Sequence, residues 1–267
     1  MATLKISELW IYPVKSLGGI AVQQAKVLPK GFEHDRRWML MDEQNIFLTQ
    51  RVHSKMALFK MSFDKEGIQV THQGNSEFIP FGIAEGVDVR ARIWDDEVTV
   101  KEVTSKLSQW FSHQLGIQCK LVAFPEHNDR AIDPRYKIGD DHVSLADAYP
   151  VLIAGQASLD DLNERMKEPL PMNRFRPNIV FTGGDPFEED AWNYFDIGEV
   201  KFAGVKPSKR CILTTVDQDT AKRGAEPLVT LATYRKRENG VYFGQNVIPI
   251  NTGTVNLGEE IKLKQPS

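Results

Sequence analysis

Short segments rich in Val, Ile, Phe and Trp follow one another through the first hundred residues, separated by Gly, Asn, Asp and Pro. Successive β-strands joined by turns have this pattern, because β-branched and aromatic side chains suit a pleated sheet while the separating residues suit turns. The pattern predicts a mostly β half, either a barrel or a sandwich. The predicted strands cover residues 4–12, 21–28, 38–41, 46–49, 67–71, 89–94 and 98–103.

A helix is predicted after these strands. Thr104 is a good N-cap residue, and Leu107 and Phe111 recur at helical spacing before Gly116, a residue that readily adopts the left-handed conformation that ends many helices. Residues 120–124 follow as a further predicted strand.

Residues 125–141 are rich in Pro, His, Asp and Arg and lack apolar periodicity, which predicts a long connecting loop. We therefore expect a domain boundary near this loop. The expected domains are an N-terminal β-barrel-like domain over 1–122 and a second domain over 123–267.

The second half returns to strands, with two short helices between them. One helix is predicted to start at Ser158, with Asp161 completing a capping box, and another follows Pro227. Residues 265–267 are expected to form a loose tail. The predicted strands cover 150–154, 178–182, 200–205, 211–216, 241–250 and 260–264, with 253–264 divided into two short strands around Gly258. The whole pattern predicts a β-rich α+β fold rather than a doubly wound parallel sheet.

Composition excludes several classes of protein. The chain of 267 residues has 33 Lys and Arg against 36 Asp and Glu, a net charge of −3, which argues against binding nucleic acid through bulk charge. Two cysteines are too few for a secreted disulfide framework or a four-cysteine cluster, so a cytoplasmic location is expected. The sequence contains no run of roughly 20 apolar residues, so no membrane-spanning helix is predicted.

Common catalytic motifs are absent from the sequence. The six histidines have no HExxH arrangement, and the chain has no GxGxxG, GxxxxGK[ST] or GxSxG motif. The sequence therefore does not support a histidine-held metal, a dinucleotide fold, a P-loop or a hydrolase nucleophile elbow.

Cys211 is the more notable of the two cysteines. It directly follows Lys209 and Arg210, and neighbouring positive charge favours the thiolate, which is the form that ligates a soft metal or attacks an electrophile. A buried structural cysteine is the alternative, and the local sequence leaves both interpretations open. Cys119 has one adjacent cation and is interpreted as structural.

Basic residues also recur in four short loops beside predicted strand ends. A lysine next to a hydroxyl, or an arginine fork, grips phosphate or carboxylate oxygens, although a single such group is commonly a solvated surface charge. Their recurrence in a weakly acidic chain predicts a polyanionic ligand. The loops lie at 15–16, 36–37, 174–176 and 209–210.

Four motifs occur in an order that identifies a family. They are WIYPVKS at 10–16, DRRW at 35–38, NRFRPN at 173–178 and RCILTTVD at 210–217. The chain resembles the MOSC-domain family, and within it the branch that contains the amidoxime-reducing components. The resemblance implies a β-barrel MOSC domain packed with an N-terminal β-barrel-like domain.

The resemblance implies a cofactor and the residues that hold it. In this family the pterin dithiolene of molybdenum-molybdopterin (Mo-MPT) and one cysteine thiolate hold a molybdenum, and the matching position is Cys211. Ala146, Ala148 and Tyr149 differ from the small hydroxyl residues frequent in relatives, and Asn246 replaces an aromatic residue. The implied cofactor contacts are Lys15, Ser16, Arg36, Asp147, Asn173, Arg176, Asn178, Lys209, Arg210 and Thr214.

The implied activity is reduction of N-hydroxylated compounds such as amidoximes, hydroxylamines and hydroxylaminopurines. Electrons are expected from a separate protein, either a ferredoxin or a cytochrome b5-like carrier with a flavin reductase, because the chain lacks the cysteines for its own cluster. The alternative is a protein that carries the molybdenum cofactor or sulfur without reducing a substrate. Neither interpretation requires nucleic acid or a membrane as partner.

Overall fold

The computed structural model describes residues 3–82, 84, 86–238 and 240–264. The predicted tail at 265–267 lies outside the described residues. Within them, the N-terminal half contains eleven strands and one α-helix, α1 (Ser105–Leu115). The strands are β1 (Lys5–Ile11), β2 (Ile20–Val22), β3 (Gln24–Leu28), β4 (Gly31–Phe32), β5 (Trp38–Met41), β6 (Lys60–Phe63), β7 (Gly67–His72), β8 (Asn75–Pro80), β9 (Asp88–Ile93), β10 (Asp96–Glu102) and β11 (Lys120–Ala123).

The second half contributes eight strands and two α-helices among the described residues. The helices are α2 (Gln156–Glu164) and α3 (Leu228–Tyr234). The strands are β12 (Val151–Gly155), β13 (Ile179–Thr182), β14 (Tyr194–Ile197), β15 (Val200–Lys209), β16 (Lys236–Arg237), β17 (Gly240–Pro249), β18 (Gly253–Asn256) and β19 (Ile261–Leu263). Short 3-10 helices cover Ser54–Leu58, Pro134–Tyr136, Met172–Arg174, Glu188–Ala191 and Ile212–Thr215.

The strands form four sheets. The largest has nine strands in the order β19-β14-β15-β17-β12-β13-β1-β2, with β16 paired to β17, and its β12–β13 pair is parallel. The smaller sheets are β5-β11-β10-β9, β18-β3-β4 and β6-β7-β8. Antiparallel pairing dominates, which confirms the predicted β-rich α+β class and the absence of a doubly wound parallel sheet.

The N-terminal strand β1 belongs to the nine-stranded sheet. It pairs with β13 on one side and β2 on the other, and Ile6, Leu9 and Ile11 enter the same core as Phe181 on β13. Because β1 and β13 are antiparallel, the loop after β1 lies beside the loop before β13. The boundary at 122/123 stays a prediction.

Most local expectations are confirmed. The strand at 38–41 has the predicted limits, and α1 has Thr104 as its N-cap, whose side chain accepts from Leu107 N, and left-handed Gly116 at its end. A helix follows Pro227 as expected. Among the described residues, no helix is long and apolar enough to cross a membrane.

Four local expectations are wrong. The predicted strand at 21–28 divides into β2 and β3, which join different sheets. No strand forms over 46–49, where only Ile46 and Phe47 make isolated bridges. Helix α2 begins at Gln156, and the Ser158 hydroxyl instead donates to the buried Glu189 carboxylate at 3.0 Å. Residues 211–216 form a 3-10 turn rather than a strand, because two threonine hydroxyls donate to carbonyls three residues earlier.

Candidate functional site

One cavity gathers most of the residues that the sequence analysis selected. Its volume is about 310 Å³, and its wall includes the loop after β1, the loop before β5, the loop before β12, the loop before β13 and the end of β15. Nine selected residues line it: Lys15, Ser16, Arg36, Asp147, Arg176, Asn178, Lys209, Arg210 and Cys211.

Two selected residues are not part of the cavity wall. Asn173 lies in the 3-10 helix Met172–Arg174, where its Oδ1 is buried without a hydrogen-bond partner among the described residues. Thr214 is buried, and its hydroxyl donates to the carbonyl of Cys211 at 2.9 Å. Thr214 therefore shapes the backbone at Cys211. Arg174 also lies behind the wall, where its Nε donates to the Thr214 carbonyl.

The two cysteines have different environments. Cys119 is buried in an apolar cluster, and burial raises the pKa of its thiol. Cys211 is partly exposed, lies two residues after the end of β15, and lines the cavity. Arg51 Nε donates to Cys211 Sγ at 3.2 Å.

Arg51 is a site residue that sequence reasoning missed. Its guanidinium connects Cys211 to Asp147, with Nη2 at 2.7 Å from Oδ2, and stacks on the Trp94 ring at 4.5 Å from the centroid. Burial alone lowers the pKa of Arg51, but the nearby Asp147 and Cys211 charges outweigh burial and raise it. The sequence offered no signal, because Arg51 belongs to no basic pair and no recognised motif.

Lys15 and Asp147 form an ion pair at the cavity wall. Lys15 Nζ lies 2.5 Å from Asp147 Oδ1 and donates to the Leu145 carbonyl at 2.7 Å. Burial lowers the pKa of Lys15 to about 8, although Asp147 favours the charged form. Desolvation alone would raise the pKa of Asp147, but the charges on Lys15 and Arg51 hold it well below its usual range. Asp147 is therefore a carboxylate at neutral pH.

Two arginines enclose the ring of Tyr12. The guanidinium carbons of Arg36 and Arg176 lie 4.3 Å and 4.2 Å from the ring centroid. Arg36 also pairs with buried Asp35 at 2.6 Å and donates to Asn178 Oδ1 at 3.1 Å. Asp35 was not selected from the sequence, yet it fixes this corner by also accepting from Tyr12 N and from Asn178 Nδ2.

Arg176 and Arg210 are cations without carboxylate partners. Neither forms an ion pair with an acidic side chain of the described residues, and burial lowers the pKa of each to about 10. Arg210 Nε is buried and has no hydrogen-bond partner within the described part of the chain. Burying a charge without an ionic partner is costly, so these side chains suit an anionic ligand.

The cavity is positive overall. Of the described residues that line it, seven are lysine or arginine, and Asp147 is the one aspartate or glutamate. No group of three or more His, Cys, Asp or Glu side chains suited to a metal ion occurs among the described residues. The arrangement suits an anionic organic ligand that one thiolate contacts directly.

The backbone is strained at three lining residues. Ser16, Arg36 and Arg176 have φ values of 66°, 50° and 56°, in the left-handed region that glycine adopts more easily. Each such non-glycine residue costs on the order of 1–3 kcal/mol and typically occurs where function requires it. The three strained positions therefore mark the same cavity as the charges.

Comparison with known proteins identifies the family. The sequence model of the MOSC N-terminal beta barrel domain matches residues 3–118, and that of the MOSC domain matches residues 140–262. Mitochondrial amidoxime-reducing component 1 of Mus musculus is 31% identical over 278 residues, which cover 97% of this chain and 82% of the relative. The chain belongs to the MOSC family. The NRFRPN and RCILTTVD motifs had indicated this family, and the matches confirm it.

Two further relatives and one solved structure are also similar to this chain. Mitochondrial amidoxime reducing component 2 of Bos taurus is 33% identical, covering 98% of this chain and 82% of the relative. A molybdenum cofactor sulfurase of Arabidopsis thaliana is 27% identical and covers 90% of this chain, which corresponds to 32% of that protein. Among solved structures, the YuaD protein from Bacillus subtilis has a TM-score of 0.42 and 12% identity, covering 99% of this chain and 98% of that one.

Proposed function

We propose that this MOSC protein is a molybdenum-cofactor-dependent reductase of N-hydroxylated compounds such as amidoximes, hydroxylamines and hydroxylaminopurines. One observation carries the proposal. Cys211, whose side chain is partly exposed, lines a cavity whose cations include two arginines, Arg176 and Arg210, without a carboxylate partner among the described residues. The names of the amidoxime-reducing relatives supply the class of substrate.

The residues in the cavity fit Mo-MPT. A thiolate is the soft donor that molybdenum prefers, and Cys211 supplies one. The phosphate of the cofactor is an anion, and Lys15, the Ser16 hydroxyl and Arg36 form the cationic corner that would hold it. Arg176 and Arg210 would gain the negative partner that the protein lacks, so binding would remove the cost of their burial.

Bound Mo-MPT would supply the two-electron change that removes the oxygen atom from an N–O bond. The overall reaction takes up two electrons and two protons and releases the reduced nitrogen compound and water. Within the chain, Arg51 holds an N–H donor 3.2 Å from Cys211 Sγ, and its contacts with Asp147 and Trp94 restrain it. Arg51 therefore holds the sulfur of Cys211 in position at the cavity wall.

We propose that a separate protein supplies the electrons, either a ferredoxin or a cytochrome b5-like carrier working with a flavin reductase. The chain's two cysteines support this proposal, because an iron–sulfur cluster of the plant-type ferredoxins needs four. The cytoplasmic location stays a prediction.

The experiment is reduction of benzamidoxime and 6-hydroxylaminopurine by the cofactor-loaded protein with a chemical reductant, followed by chromatography of the products. Cys211→Ala should abolish turnover and metal retention, because it removes the metal's protein ligand. Cys119→Ala is the matched control and should keep both. Bound molybdenum without turnover across a panel of N-hydroxylated substrates would overturn the reductase proposal.

That last outcome would favour a second function, carriage of the molybdenum cofactor or of sulfur. The similarity to the Arabidopsis sulfurase over 90% of this chain is the observation behind it. A carrier would transfer its cofactor to an acceptor apo-enzyme, and restored activity of that acceptor would measure the transfer.

A further inference from the structure

We propose that Trp94 is a specificity-determining residue beside the cavity, in contact with its lining residues Arg51 and Asp147, and that its indole ring selects planar aromatic N-hydroxylated substrates over small aliphatic ones. The inference rests on the proposed reductase function. It assigns that selection to a side chain that no motif includes and that lies beyond the residues lining the cavity.

Trp94 occupies an unusual place in the fold. Ile93 pairs with Asp96, so Trp94 is the first residue of a two-residue turn between β9 and β10. Its φ is 56°, a backbone conformation that glycine adopts with less strain, and the residue is 45% exposed. Nearly half of this large apolar side chain is exposed although its backbone is strained, which points to a role outside folding.

The contacts of Trp94 connect it to the reactive end of the cavity. Its Nε1 donates to Asp147 Oδ1 at 3.4 Å, and the Arg51 guanidinium lies 4.5 Å from its ring centroid. Arg51 in turn donates to Cys211 Sγ at 3.2 Å. Only one side chain therefore separates the indole from the sulfur.

Phe47 fixes the orientation of the ring. The two rings meet edge to face, with centroids 5.0 Å apart and planes at 65°, and Phe47 is itself buried. An indole held in this way loses little conformational freedom when a ligand stacks on its exposed surface. Eight of the described residues that line the cavity behind it are charged, and the indole adds a broad apolar surface for an aromatic substituent.

An aliphatic substrate of similar headgroup chemistry lacks the ring that would stack. Aromatic pairs contribute binding free energy beyond the area they bury, and the contribution corresponds to a change of up to about tenfold in affinity. The discrimination should appear in KM, because the stacked ring lies away from the N–O bond that reacts.

The test compares kcat/KM for benzamidoxime and acetamidoxime in the cofactor-loaded wild type, Trp94→Ala and Trp94→Phe. Trp94→Ala should lower the benzamidoxime to acetamidoxime ratio about tenfold, through KM rather than kcat. Trp94→Phe should restore most of the ratio. Tyr194→Ala is the matched control, because Tyr194 is a similarly exposed aromatic residue, 47% exposed, on β14. It should leave the ratio unchanged.

A second readout does not depend on turnover. Calorimetry of benzamidine and acetamidine binding to the same proteins should show that Trp94→Ala weakens the aromatic ligand selectively. An unchanged ratio in both assays, or an equal loss for both substrates, would overturn the role of Trp94. If the wild type reduces neither substrate while calorimetry still shows Trp94-dependent selection of benzamidine, the reductase proposal fails and the aromatic site remains.

Discussion

Replacing Arg176 with methionine should make the ligand-free protein more stable while weakening its hold on anions. Arg176 is 8% exposed and has no carboxylate partner among the described residues, and burial lowers its pKa to about 10. A base whose pKa is lower in the folded protein than in the unfolded chain destabilises the fold while it is charged. This cost is therefore complete at neutral pH and begins to fade only as the pH rises above about 10. At roughly 1.4 kcal/mol per pH unit, the cost is about 3 kcal/mol.

The loss of contacts that the arginine makes offsets part of the stabilisation expected from removing its charge. The guanidinium carbon lies 4.2 Å from the centroid of the Tyr12 ring, and a desolvated cation–π contact is worth about 1–2 kcal/mol. Methionine keeps the apolar stem against Tyr12 but loses this charge contact. The expected net stabilisation is therefore about 1–2 kcal/mol, which raises Tm by about 3–6 °C for a chain of this size.

Thermal unfolding of the ligand-free protein, with and without sulfate, measures both effects. Arg176→Met should have the higher Tm in plain buffer and the smaller increase on adding sulfate, because an anion that binds only the folded state raises Tm by mass action. Arg90→Met, which replaces an arginine side chain that is 82% exposed, is the control and should change neither value. A lower Tm for Arg176→Met, together with a sulfate response equal to that of the wild type, would refute the reasoning.

Three further predictions follow from the structure. Cys211→Ser should leave the urea midpoint nearly unchanged, since the side chain is partly exposed, yet remove bound molybdenum; a retained metal would contradict its role. The rise in Tm that sulfate produces should become smaller as the pH rises through about 8, because burial lowers the pKa of Lys15 to about 8 and the side chain loses its charge above that pH. In Lys15→Met, the effect of sulfate on Tm should depend less on pH. Burial raises the pKa of the Glu189 carboxyl to about 7, above its ordinary value near 4.5, so the contribution of this group to stability is complete below pH 4.5 and is lost as the pH rises through 7. In urea titrations, the free energy of unfolding of Glu189→Gln should not show this loss. A pH profile equal to that of the wild type would contradict the prediction.

The sequence predicted those elements whose signals are local. Thr104 and Gly116 mark the ends of α1 because cap chemistry depends on a few neighbouring residues, and the strand at 38–41 reads as a continuous apolar run. Residues 211–216 show the limit of periodicity. Over six residues an apolar run fits a strand or a turn equally well, and the threonine hydroxyl bonds that close the 3-10 turn decide between them.

The residues of the site also divide into those that local sequence motifs predicted and those that depend on the folded chain. Lys15, Arg36, Arg176 and Cys211 stand in motifs that can be recognised along the chain, and all four line one cavity. Arg51 contacts Cys211 across 160 positions of sequence, so its role depends on how the sheets bring distant loops together. The strained turn that holds an exposed indole at Trp94 is likewise a property of the folded chain.

The central claim is that the sulfur of Cys211 and the surrounding cations hold a molybdenum cofactor. Elemental analysis of the cofactor-loaded wild type and Cys211→Ser, with Cys119→Ala as control, tests it most directly. The account predicts about one molybdenum per chain in the wild type and in Cys119→Ala, and almost none in Cys211→Ser. Equal molybdenum in all three proteins, or none in the loaded wild type, would contradict it.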